Sequence, residues 1–234
     1  DSMTAANNVV LPMQFVLGKS VYANAMTAPL YLARHAETVY NAGARMQGHM
    51  AHTPLTHAGI AQAHSMGDAL RAHFGAKPDI DLWASPSGRT LQTMAVVAEH
   101  LGRDFFDVRK DDRLLEIDVG DWEGRLYADI VAESGPIVDH DRGLFSMPAP
   151  NGEWFPAIAA RLTTWLAAPD PDRPALVISH GITARVLRGL LVGGDDWHGV
   201  KVAGNAPQGT VFRIQDGAEE AVHVGSGVAG VKAA

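Results

Sequence analysis

Two histidines carry the first chemical signal. His35 follows the apolar run Leu30-Tyr31-Leu32-Ala33 and Arg34, and His180 follows Ala175 to Ser179; they stand 145 positions apart, from 35 to 180. A histidine held at a strand end can attack phosphorus through a neutral ring nitrogen and form a phosphoramidate. That step needs cations against the phosphoryl oxygens, and Arg34 is adjacent. Cationic neighbours also disfavour the imidazolium, which keeps the ring nucleophilic near neutral pH. Taken alone, Arg34-His35-Ala36-Glu37-Thr38 with Asn41 reads equally well as a core histidine beside a surface arginine.

Three further segments offer matching chemistry. Ser85-Pro86-Ser87-Gly88-Arg89-Thr90 lies between a predicted strand and helix. A helix N-terminus presents free N–H groups to an anion, and Arg89 adds a planar fork for two phosphate oxygens. In Ser179-His180-Gly181 the glycine permits close backbone approach, and His180 could donate to a phosphoryl oxygen. The segment from Leu115 to Gly124 supplies carboxyls. Hydrolysis needs one group to protonate the leaving oxygen and then to activate water. Glu116 is the preferred candidate, with Asp118 and Glu123 as rivals that residue chemistry alone does not reject.

These segments must be positioned by an alternating α/β pattern. Strands are expected at 30–33, 80–84 and 175–179, each apolar and each delivering polar residues at its C-terminal end. Thr56 is the expected N-cap of a helix whose residues Ile60, Ala63, Met66, Leu70 and Phe74 recur at three or four. Another helix is expected right after Ser85-Pro86, with Leu91, Ala95, Ala98 and Leu101 on one face, and further ones over 126–133, 153–167 and 181–191. Short strand-like pieces are expected at 105–108 and 114–117, a loop at 143–151, and two closing strands near 211–214 and 221–224. Alternation of this kind implies a largely parallel sheet with helices on both faces, and ligands beyond the carboxyl ends of the strands.

Composition narrows the classes. The chain has 234 residues, 47% hydrophobic and 19% charged, which suits one globular domain. Its net charge of −7 gives no general attraction to nucleic acid or to a membrane surface, so any anion site must be locally positive. The absence of cysteine excludes disulfides, thiolate metal sites and cysteine nucleophiles, and fits a cytoplasmic location. The apolar stretch from Val9 to Leu17 is too short to span a bilayer and lacks the preceding basic residues of a signal peptide. Residues 1–28 are read as an N-terminal extension of open role, either packing across the partner subunit of a homodimer or forming a disordered leader, and 29–234 as a single domain. No His-Glu-x-x-His run or other ligand spacing points to a metal.

The ordered set of segments resembles the histidine phosphatase superfamily, in its phosphoglycerate-mutase-like branch. The family's Arg-His-Gly-Glu-Thr with a following asparagine appears as Arg34 to Thr38 and Asn41. Gln47-Gly48, Pro54 to Ala63, Ser85-Pro86 with Arg89 and Gln92-Thr93, Glu116 through Gly124, Gly152-Glu153 and Ser179-His180-Gly181 follow in order. The resemblance implies a three-layer α/β/α sandwich around a mixed sheet. It implies a phosphorylated nucleophile at His35, a phosphoryl group held by Arg34, Arg89 and His180, and Glu116 as proton donor and acceptor. Asn41, Gln47, Gly48 and the Gly181 backbone would line the pocket, with no metal or other cofactor. Ala36 replaces the usual glycine, and His52 stands where an aspartate is common at the pocket rim.

The implied activity is hydrolysis of a small-molecule phosphate monoester. A phosphoglycerate mutase is the alternative within the family, but mutases carry longer insertions over the site than the 27 residues, 125 to 151, found here. A binding module that has lost its chemistry is disfavoured by the presence of all five reactive residues. The leaving group is expected to meet the 124–151 stretch, including Asp139, His140, Arg142 and Phe145.

Overall fold

The computed structural model describes residues 26–228. Most of the expected N-terminal extension lies outside them, but Met26 is buried in the core and Thr27 and Ala28 both donate to the Pro171 carbonyl, at 3.0 and 2.9 Å.

The first strand, β1 (Leu30–Arg34), is followed by a short helix α1 (Val39–Ala42) and the long α2 (His57–Phe74). Next come β2 (Asp81–Ala84), α3 (Gly88–Leu101) and a two-residue β3 (Arg109–Lys110). A helix α4 (Tyr127–Ser134) leads to the hairpin of β4 (Val138–Asp139) and β5 (Leu144–Phe145). Then follow α5 (Phe155–Trp165), β6 (Ala175–Ser179) and α6 (Gly181–Val192). A second small hairpin, β7 (Asp195–Trp197) and β8 (Val200–Val202), precedes the last pair, β9 (Val211–Gln215) and β10 (Ala218–His223).

The main sheet has the order β10-β9-β1-β6-β2-β3. Its β1, β6, β2 and β3 are parallel, whereas β9 and β10 form an antiparallel edge. Along β1 and β6 the side chains alternate between two cores, which is why both strands read as unbroken apolar runs. Leu30, Leu32, Ala175 and Val177 pack against α5 and α6 residues such as Leu162, Trp165 and Leu187. Tyr31, Ala33, Leu176 and Ile178 pack against Met66 and Leu70 of α2 and Met94, Val97 and Leu101 of α3. The result is the three-layer α/β/α sandwich with a mostly parallel mixed sheet.

Several local expectations differ from the structure. No strand forms at 105–108 or 114–117: Phe105–Asp107 is a short 3-10 turn, and Leu114 ends another, Asp112–Leu114, each begun by an aspartate, Asp104 or Asp111, whose carboxylate accepts a backbone N–H. That local side-chain bond competes with strand pairing. The stretch expected as a loop from 143 contains β5, and the final strand begins earlier, at Ala218. Thr56 does cap α2, accepting the Gly59 N–H at 2.9 Å, but Ile60 on its first turn is 44% exposed instead of inward.

Candidate active site

β1 and β6 are hydrogen-bonded neighbours in register, with Arg34 opposite Ser179, so the next residue of each strand brings His35 and His180 together. Their ring centroids lie 5.3 Å apart, edge to face. α3 begins after β2, the strand on the other side of β6, and its first turn places Arg89 beside them. α6 starts immediately after His180, so its first turn lies beside the two histidines.

His35 is 2% exposed, and its Nδ1 donates to the Ala36 carbonyl at 2.7 Å. A carbonyl can only accept, so this bond puts the proton on Nδ1 and leaves the Nε2 lone pair free. Burial, then the charges of Arg89 and Arg34, hold the imidazole well below its usual value. The ring is therefore neutral, with a basic nitrogen aimed away from the backbone. Ala36, in place of glycine, is fully buried and its N–H donates to Thr93 Oγ1 at 3.1 Å.

Arg89 is also fully buried. Its Nη1 donates to the Met50 carbonyl and Thr53 Oγ1, at 2.9 and 3.2 Å, and its Nη2 donates to the Gly48 carbonyl at 2.8 Å. Its Nε donates to His180 Nδ1 at 3.1 Å. Burial lowers its pKa to about 10, which leaves it a cation at neutral pH. Because arginine only donates, His180 Nδ1 must accept, and His180 Nε2 donates to Ser85 Oγ at 2.7 Å. His180 is thus a neutral ring with both nitrogens engaged, and burial again drives its pKa far down.

Arg34 contrasts with Arg89. Its Nε is buried with no partner, and among the described residues its guanidinium donates no hydrogen bond. Gly181 sits between this arginine and Glu116: a Cβ there would lie 3.4 Å from Arg34 Cζ and 3.5 Å from Glu116 Oε2. Glu116 Oε1 accepts the Ile117 and Thr183 N–H groups at 3.0 and 3.1 Å, and Oε2 accepts the Ile182 N–H at 3.2 Å. The first turn of α6 therefore holds the carboxyl in place. Of the three acidic candidates in this loop, only Glu116 lines the cavity. Asp118 instead accepts the Gly120 N–H, and Glu123 the His49 N–H.

Arg34, His35, Asn41, Gln47, Gly48, Arg89, Glu116 and Gly181 all line this one cavity, while His180 lies directly behind it. Asn41 Oδ1 accepts the Thr38 N–H at 3.1 Å and a Gln208 Nε2 hydrogen at 3.0 Å, which leaves the single Thr38 hydroxyl proton for Gln47 Oε1 at 2.9 Å. Gly48 contributes through its carbonyl to Arg89, and its φ of +48° is the left-handed conformation that favours glycine. His52 is exposed and does not line the cavity. From the 125–151 stretch Tyr127, Gly143 and Phe145 reach it, whereas Asp139, His140 and Arg142 do not. Arg142 packs over the Trp197 ring instead. Sequence reasoning missed Tyr127, Arg185 and Gln208 as lining residues, and Thr183 as a holder of Glu116.

The model of the histidine phosphatase superfamily, branch 1, matches residues 30–226. The chain belongs to the histidine phosphatase superfamily. Among the relatives of this superfamily member, a protein named probable phosphoglycerate mutase GpmB from Erwinia tasmaniensis is 34% identical over 172 residues, covering 70% of this chain and 74% of the relative. Glucosyl-3-phosphoglycerate phosphatase of Mycobacterium tuberculosis is 30% identical over 174 residues, with the same two coverages. Solved structures of this fold include the mycobacterial glucosyl-3-phosphoglycerate phosphatase with VO3, at TM-score 0.65 and 26% identity, covering 86% of this chain and all of that one. Bacillus stearothermophilus YhfR matches at TM-score 0.63 and 26% identity, covering 86% of this chain and 98% of its own. No helix among the described residues is long and apolar enough to cross a membrane.

Proposed function

We propose that this histidine phosphatase hydrolyses a small-molecule phosphate monoester through a phosphohistidine on His35. The observation that carries the reading is the tautomer fixed by Ala36: it leaves Nε2 of a neutral, buried histidine unprotonated beside Arg34, whose buried Nε has no hydrogen-bond partner among the described residues. Arg34 and Arg89 supply the charge for the phosphoryl oxygens, so the chemistry needs no metal. His180 joins them only after a rearrangement, because its Nδ1 now accepts from Arg89; a bound phosphoryl oxygen would take the Arg89 Nε–H and favour a proton on that nitrogen.

In the first step His35 Nε2 gives its electron pair to phosphorus and the bond from phosphorus to the ester oxygen breaks. Glu116, in its acid form, protonates that oxygen and the alcohol leaves. In the second step the Glu116 carboxylate takes a proton from water as its oxygen attacks phosphorus. The nitrogen–phosphorus bond then breaks, returning its electron pair to His35 and releasing orthophosphate. Asn41, Gln47, Gly48 and Gly181 shape the pocket around the group. We place the enzyme in the cytoplasm, a reading supported by a chain without cysteine.

A panel of phosphate monoesters, assayed with and without EDTA and alongside His35→Ala, tests the mechanism. The expected result is EDTA-resistant phosphate release that disappears in the variant. Activity lost to EDTA, or retained by His35→Ala, overturns it. Phosphoryl transfer between phosphoglycerate positions that outruns phosphate release would favour a mutase.

A further inference from the structure

The cavity contains a cation that phosphoryl transfer does not use. On α6, Gly181 lies between Arg34 and Glu116, and Arg185 follows four residues later on the same face, about 6 Å further along the helix. Arg185 lines the same cavity as His35 and is 8% exposed. Its Nε donates to the Ala203 carbonyl at 2.9 Å and its Nη1 to the Gly143 carbonyl at 3.0 Å. A guanidinium has five N–H donors, so three are left without a partner among the described residues.

No carboxylate among the described residues forms an ion pair with it. Arg188, on the next turn, shows the usual solution: its Nε and Nη2 fork onto Glu219 at 2.7 and 2.5 Å. Burial, together with the charges of Arg188 and Arg34, lowers Arg185 to about 10, so it remains charged at neutral pH. A buried cation held by two carbonyls and no anion is costly unless a ligand completes it. Arg34 and Arg89 already match the two charges of a phosphoryl group, which leaves Arg185 for something else.

We propose that Arg185 binds a second anionic group, a carboxylate or a phosphate, on the alcohol that leaves. The proposal rests on the phosphatase reading and specifies its substrate: a short phosphorylated acid or bisphosphate whose second anion reaches Arg185 within the cavity that Arg185 and His35 both line.

Matched pairs of substrates test it. One pair is 3-phosphoglycerate and its methyl ester; the other is 1,3-propanediol bisphosphate and 3-hydroxypropyl phosphate. The wild-type protein is expected to prefer the charged member of at least one pair by about 10- to 100-fold in kcat/KM, the range of a charge-assisted hydrogen bond. Which pair shows the preference distinguishes carboxylate from phosphate. Arg185→Met should bring that ratio towards one, and Arg185→Lys should retain part of it. A purely structural role would lower both members of a pair together. An equal wild-type rate on both members of both pairs overturns the proposal even if neither variant folds, as does a ratio unchanged in Arg185→Met. If the wild type hydrolyses neither pair nor any monoester of the wider panel, the phosphatase reading fails and this proposal falls with it. If it hydrolyses other monoesters but neither pair, only the proposal falls.

Discussion

Arg161→Met should disable catalysis and weaken the fold at the same time, because Arg161 supports the Glu116 backbone from below. On α5, its Nη2 donates to the Glu116 carbonyl at 3.2 Å and its Nη1 to the Arg113 carbonyl at 2.6 Å. Glu153, its ion-pair partner at 2.7 Å, accepts the Asp118 N–H at 3.1 Å, so the pair grips both sides of Glu116. The two side chains are 18% and 16% exposed. Removing one member of a buried pair costs about 3–5 kcal/mol, and this partial exposure argues for the lower end, about 3 kcal/mol. For a domain of this size that is a fall in Tm of about 6–12 °C. Glu116 would lose its register, so kcat should drop about 10- to 100-fold with KM little changed, since the proposed phosphoryl ligands Arg34 and Arg89 lie on other elements. The double variant Glu153→Gln/Arg161→Met removes the stranded charge and should recover about 1 kcal/mol or more relative to the summed singles. Urea melts and steady-state kinetics on all three proteins supply the comparison. Additive stabilities, or an unaltered kcat in Arg161→Met, would refute this reasoning.

Two other outcomes follow from the site. His35 and His180 are both held well below the usual histidine value, so below about pH 6.5 the unfolded chain binds protons that the native rings refuse. Their contribution to stability is therefore lost as pH falls through that value, by up to about 2.7 kcal/mol per pH unit for the two, until the native rings protonate; urea titrations at several pH values should show it, with roughly half the slope in His35→Gln. Gly48→Ala would place a Cβ 2.5 Å from Val119 Cγ2 and 2.8 Å from Glu123 Oε1 at a φ of +48°. We expect a loss of at least about 2 kcal/mol and of phosphatase activity, measurable by thermal melts and phosphate release.

The parts of the site that were legible in the sequence are those encoded by abrupt local change. Leu30 to Ala33 and Ala175 to Ile178 are wholly apolar and end in polar residues, which only a buried parallel strand explains well. Arg89 was legible because Ser85-Pro86 marks a turn before a periodic helix. Glu116 was not separable from Asp118 and Glu123 by residue chemistry, because its selection depends on N–H groups of Ile182 and Thr183, far along the chain. The resemblance chose it; the geometry supplies the reason. The hairpins at 138–145 and 195–202 escaped notice because their strands are two or three residues long, too short for a period. Arg185 did leave a signal: it interrupts the apolar run of α6 four residues after Gly181, on the face that starts at the site.

The pairing of β1 with β6 also bears on when the enzyme comes into being. His35 lies near the start of the described chain, yet its partner strand begins only at Ala175. During synthesis His35 emerges well before His180 and before the α6 turn that seats Glu116. β6 must then insert between β1 and β2, two strands already made, to close the sheet. A ribosome-bound chain therefore carries His35 without the rest of its site until most of the protein has been translated, and under the proposed mechanism activity appears together with completion of the fold.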